Sequence, residues 1–94
     1  MIVSFRDRET ERVWTGERSR RLPHFVQEAA LRKLRLLHQA SSLRELGAIP
    51  GNRLEALRGS RSGQFSVRIN VQWRICFTWD EQGASDVEIV DYHS

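Results

Sequence analysis

The apolar period of this chain changes once, across Gly47–Asn52, and that change constrains the fold more than any other feature. From Pro23 to about Ala40, Val26, Ala30, Leu34 and Leu37 recur at steps of four, four and three, which is one stripe of an α-helix. Phe25, Ala29 and Leu36 are expected to widen the stripe, and Glu28 and Arg32 lie one turn apart on the outer face, where they can pair weakly. Ala48-Ile49-Pro50-Gly51-Asn52 is turn chemistry. Beyond it the period is two. Phe65, Val67 and Ile69 alternate with Ser66, Arg68 and Asn70, and Trp73, Ile75, Phe77 and Trp79 alternate with Arg74, Cys76, Thr78 and Asp80. Helices followed by hairpins predict an α+β domain. The two N-terminal helices should pack on one face of an antiparallel sheet, leaving the other face free to be concave and functional.

The remaining elements fit around this switch. Ile2 to Phe5 reads as a short opening strand. Asp7 can cap a helix running to about Trp14, with Glu9 and Glu11 where the helix dipole favours acids, and Gly16 ends it. Residues 17–22 form a basic connector, and Pro23 sits where a helix start tolerates proline. Ser41 to Leu46 reads as a further turn stopped at Gly47. Leu54 to Arg58 reads as a short strand, 59–63 and 81–83 as turns, 70–72 as a tight connection, and Val87 to about Tyr92 as the closing strand. At 94 residues and 11.0 kDa, residues 1–94 are expected to be a single domain, too short for a (β/α)₈ barrel or a two-half dinucleotide fold. No apolar run approaches the ~18–20 residues of a membrane span, and the N-terminal stretch is charged by Arg6. Both argue against a membrane helix or a secretory signal. One cysteine, Cys76, leaves no partner for an intramolecular disulfide, so a reducing cytoplasm is the expected compartment. Within WRICFTW, Cys76 reads as a buried, inert thiol.

Charge is unevenly placed. All fifteen Lys and Arg lie in residues 1–74 against seven acids, giving +8, while residues 75–94 carry five acids and no Lys or Arg, giving −5. Fourteen of the fifteen cations are arginine, the side chain whose planar fork grips phosphate with two hydrogen bonds. A basic body suits an anionic partner, nucleic acid first, although a compositional bias toward arginine would also raise the count. Metal and nucleophile patterns (CxxC, HExxH, GxxxxGK[ST], GxSxG) are missing from the sequence, so no metal and no cofactor is expected. His24 reads as an exposed helix-start residue and His38 as a surface residue near a helix C-terminus.

His93 stands apart because of Asp91-Tyr92-His93. Period two puts Asp91 and His93 on the face of Val87 and Ile89, and Tyr92 with Glu88 and Val90. A carboxylate beside an imidazole can orient it and favour its charged form; a polar C-terminal tail is the plainer alternative. Arg58 and Arg74, at strand ends, either converge on one phosphate or are two solvated surface arginines.

Four ordered blocks (GNRLEALRG at 51–59, QFSVRIN at 64–70, QWRICFTW at 72–79 and VEIVDYH at 87–93) closely resemble the HigB toxins of the RelE-like superfamily, the plasmid maintenance system killer proteins. The resemblance covers nearly the whole chain. It implies a compact α+β fold with helices against a curved antiparallel sheet, and a ribosome-dependent endoribonuclease that cuts translated mRNA, held in check by a HigA-like helix-turn-helix antitoxin. It also implies that promoter DNA is reached only through the toxin–antitoxin complex. By the same resemblance Arg58 and Arg74 contact the scissile phosphate, and Asp91, Tyr92 and His93 form the catalytic end, with His93 catalytically important. Arg53, Arg61 and Arg68 are the further candidates for RNA contact. Two positions depart from the pattern: Arg58 stands where relatives commonly have lysine, and Glu55 where some have histidine.

The implied chemistry suits these groups. Attack by the RNA's own 2′-OH requires removing its proton, stabilising the phosphorane charge and protonating the 5′-oxygen. Arg58 and Arg74 suit the charge and His93 the proton transfer. Asp91 would orient His93 or accept a proton, and Tyr92 would stack on a base or align the 2′-OH. Two alternatives stay open: a non-catalytic basic module that blocks translation by occupying the ribosome or RNA, and an interaction domain for an acidic protein.

Overall fold

The computed structural model describes residues 1–92; His93 lies outside them. Helices α1 (Arg8–Trp14), α2 (His24–Gln39) and α3 (Leu43–Gly47) precede a meander of β1 (Glu55–Ala56), β2 (Phe65–Arg68), β3 (Trp73–Asp80) and β4 (Gly83–Asp91). Every neighbouring pair is antiparallel and the order is β1-β2-β3-β4. This is the α+β architecture anticipated from the sequence. No helix among the described residues is long and apolar enough to cross a membrane.

Local chemistry starts each helix. Asp7 accepts from the Thr10 N–H at 2.9 Å and Ser42 from the Glu45 N–H at 3.0 Å, both N-cap bonds. Pro23 offers α2 no such bond. Gln27 closes that end instead, donating to the Ser19 and Leu22 carbonyls and accepting from the Ser19 N–H. The basic connector is therefore organised around a buried serine, whose hydroxyl also donates to Glu9 at 2.6 Å.

The stripe Val26, Ala30, Leu34 and Leu37 is fully buried against Val67, Ile75, Phe77, Ala84, Val87 and Ile89. Phe25 departs from its expected place: it is 66% exposed. It sits about 100° round the helix from Val26, on a flank that half-buries Ala29 and Leu36 but leaves the first turn uncovered. Glu28 and Arg32 form no ion pair among the described residues.

Two strands differ from their predicted extents. The strand expected over 54–58 is only Glu55–Ala56, because Arg53 at φ +43° and Gly59 at φ +65° turn the chain at both ends. The closing strand starts at Gly83 rather than Val87. A bulge with Asp86 at φ +52° shifts the register there, which lets Ala84 and Val87, three residues apart, both face the core. The opening segment reaches the sheet as two parallel bridges, Ile2 to Ala84 and Phe5 to Val87. Gly83 permits that approach: at φ +125°, a Cβ there would run into the Met1 carbonyl. His38 is exposed as expected, yet its Nδ1 accepts from the Ile2 N–H at 3.0 Å and its ring lies 5.1 Å from that of Trp14, so it ties the N-terminal segment to α2.

Candidate functional site

The sheet face opposite the helices carries the chemistry. Its central rung, in register, is Glu55, Ser66, Cys76 and Glu88, and the next is Arg68, Arg74 and Val90. Asn70 closes the β2–β3 hairpin, its side-chain oxygen accepting from the Gln72 and Trp73 N–H groups, each at 2.8 Å. That turn sets the register and brings Arg74 diagonally across from Ser66.

Arg74 is held from several sides. Its Nε donates to the Ser66 hydroxyl at 2.7 Å, and Nη2 donates to the Arg53 carbonyl at 2.5 Å. The Glu55 carboxylate lies 3.6 Å from Nη2, and the guanidinium stands 5.7 Å from the centre of the Tyr92 ring, within cation–π range. The Arg74 side chain is only 11% exposed. Its Nη1 makes no hydrogen bond among the described residues.

Two adjoining open clefts surround this group. Arg53, Leu54, Glu55, Arg68, Asn70, Val71, Arg74 and Tyr92 line one. Glu55, Ala56, Leu57, Arg58 and Tyr92 line the other. Glu55 and Tyr92 are common to both, so the structure brings Arg58, Arg74 and Tyr92 to one neighbourhood, with Arg53 and Arg68 beside them. Arg68 donates from Nε to the Asn70 carbonyl at 3.0 Å.

Arg61 is differently placed. It donates to Glu88 at 3.1 Å and to Gln64 at 2.9 Å, and Arg6 approaches the same carboxylate at 3.9 Å. Its charge is already answered within the protein. Asp91 sits at the end of β4 opposite Trp73, with the helix-side parity of Ile89, and accepts from the Gln72 amide at 3.1 Å. It is therefore across the sheet from Arg74's face. His93 lies outside the described residues.

Cys76 is buried, as its apolar run suggested, but on the face of the charged residues. Burial pushes its thiol above the ordinary range; among the surrounding charges, Arg61 and Arg74 pull it down while Glu88 and Glu55 push it further up. Beneath the sheet, Lys33 donates to the buried Asn52 side chain at 2.5 Å, and burial, with Arg32 nearby, lowers the ammonium's affinity for its proton. No group of His, Cys, Asp and Glu able to hold a metal occurs among the described residues.

Ser66 and Asn52 were not singled out from the sequence. Their polar signal, a serine inside an alternating strand and an asparagine in a turn, is ordinary until the hairpin register is known.

A family model described as the RelE-like toxin of the type II toxin–antitoxin system HigB matches residues 3–93. Toxin HigB-1 of Vibrio cholerae serotype O1 (strain ATCC 39315 / El Tor Inaba N16961) is 36% identical over 80 residues, 84% of this chain and 84% of that protein.

Proposed function

The chain belongs to the HigB-like family of RelE-like toxins of type II toxin–antitoxin systems, and on that premise we propose that it is a ribosome-dependent endoribonuclease that cuts translated mRNA. Membership implies an antitoxin partner; a HigA-like helix-turn-helix protein is the form we infer, with promoter DNA bound only through the complex. The observation that carries the catalytic reading is Arg74, fixed by Ser66 and the Arg53 carbonyl at the wall of an arginine-lined cleft that also holds Tyr92.

In this reading the RNA 2′-oxygen attacks the adjacent phosphorus. The O2′–P bond forms as P–O5′ breaks, leaving a cyclic phosphate on one fragment and a 5′-hydroxyl on the other. Arg74 and Arg58 meet the charge that grows on the phosphorane oxygens. Tyr92 offers a ring face on which a base stacks. His93, whose role rests on the sequence, transfers a proton, and Asp91 assists through it. A single imidazole makes a weak free nuclease, so the ribosome supplies the geometry of the message.

Primer extension on one message tests this, with purified protein alone and in a translating extract. Cutting should require translation, and His93→Ala should lower it by roughly 10²–10⁴-fold while ribosome binding persists. Rapid cutting of naked message would overturn ribosome dependence. Translation arrest by wild type without cleavage would favour occupancy.

A further inference from the structure

Arginine carries a long stem with considerable rotamer freedom, so a guanidinium serves as a pre-aimed donor only where its stem is fixed. The bonds to Arg74 engage Nε and Nη2. Both acceptors are themselves immobilised. Ser66 is fully buried in the middle of the sheet, between Glu55 and Cys76 in register.

The second acceptor, the Arg53 carbonyl, belongs to a residue at φ +43°, and its direction depends on what holds the loop. Asn52 holds it. Fully buried, Asn52 accepts from Lys33 at 2.5 Å and donates to the Leu46 carbonyl at 3.0 Å. Its backbone carbonyl accepts from the Arg68 N–H at 2.6 Å, and its own N–H donates to Ile49 at 3.2 Å. A buried asparagine is tolerated only when its groups are bonded. Here those bonds join α2, the end of α3 and the edge of β2 at one point, immediately before the carbonyl that receives Arg74. The chain's single lysine stands at this point, reaching the Asn52 side-chain oxygen as a compact ammonium.

We propose that Ser66 and Asn52, the latter secured by Lys33, are positioning residues that aim the Arg74 guanidinium and leave Nη1 for the scissile phosphate. This rests on the endoribonuclease reading above. It assigns the work to residues that touch Arg74 or its loop, not to groups that touch RNA.

A double-mutant cycle on cleavage of a translated message tests it. Ser66→Ala should lower kcat roughly ten- to hundredfold with KM little changed, the scale of a small misplacement at a reacting centre. Added to Arg74→Ala, it should cost nothing more, because the group it aims is gone. Lys33→Met should behave likewise with a smaller loss, and it carries the cycle where Ser66→Ala does not fold. On the protein itself, the Arg74 Nε–H resonance should be protected from exchange in wild type and lose that protection in Ser66→Ala. Losses that add to Arg74→Ala, or that fall on KM alone, or an Nε–H unchanged by Ser66→Ala, would overturn the positioning role while wild-type cleavage kept the functional reading intact. An inactive wild type would overturn both.

Discussion

Glu55 lies 3.6 Å from the Nη2 of Arg74 and is half exposed, so the carboxylate competes with any phosphate for that guanidinium. With its Glu55 side half exposed and screened by water, the pair is placed on the scale of solvent-screened ion pairs, about 0.2–1 kcal/mol. Glu55→Gln is therefore expected to tighten binding of a short RNA oligonucleotide by up to about fivefold, measured by titration at low salt; unchanged or weaker binding would remove Glu55 as a competitor. Burial holds the Cys76 thiol above the ordinary 9.0, so the folded protein keeps a proton that the unfolded chain releases. Its contribution is fully present below that ordinary value and is lost as pH rises toward the folded-state value. Urea unfolding of wild type and Cys76→Ala at pH 8 and pH 10 should show the stability gap between them narrowing at pH 10. A gap independent of pH would contradict the buried-thiol account.

At the scale of elements, the helices were the most legible part of the sequence. A side-chain cap at Asp7 and a stripe of four fully buried apolar residues in α2 are local signals, and the structure contains both. Leu34, fully buried, should lose about 2–5 kcal/mol on substitution by alanine, read by chemical denaturation; a loss under 1 kcal/mol would mean that the stripe does not carry the core. Phe25 is exposed against expectation because a hydrophobic residue on the flank of a stripe is covered only where a neighbour lies over it. β4 starts at Gly83, ahead of its local apolar signal, because the Asp86 bulge answers to the N-terminal segment: the Val87 N–H donates to the Ser4 carbonyl at 3.1 Å and the Asp86 N–H to the Ser4 hydroxyl at 2.9 Å. That partner lies some eighty residues earlier in the chain. The same non-locality explains the site. Arg58, Arg74 and Tyr92 could be chosen from strand ends, parity and resemblance. The roles of Ser66 and Asn52 depend on a hairpin register and a helix-to-loop bond, which no local pattern contains.

Across the whole molecule, part of the acidic end of the chain is engaged within the protein, although Asp80, Glu81, Asp86 and Asp91 are exposed. Glu88 answers Arg61 and Arg6, and Asp80 accepts from the Gln82 N–H, while Arg53, Arg58 and Arg68 line or adjoin the clefts around Arg74. In the proposed function, the basic surplus of residues 1–74 would supply a diffuse attraction to a polyanion, which docks the protein without choosing the bond to cut. In the proposed function the cutting is done at the Arg74 cleft and not by that diffuse charge. The direct measurement is the cleavage rate of one translated message by wild type, Arg58→Ala, Arg74→Ala and Arg12→Ala, the last removing an arginine from α1. Loss of a transition-state charge contact costs about 2.7–4 kcal/mol, so the first two variants should be roughly 10²–10³-fold slower and Arg12→Ala close to wild type. If Arg12→Ala slows cleavage as much as Arg74→Ala does, the cleft is not the site.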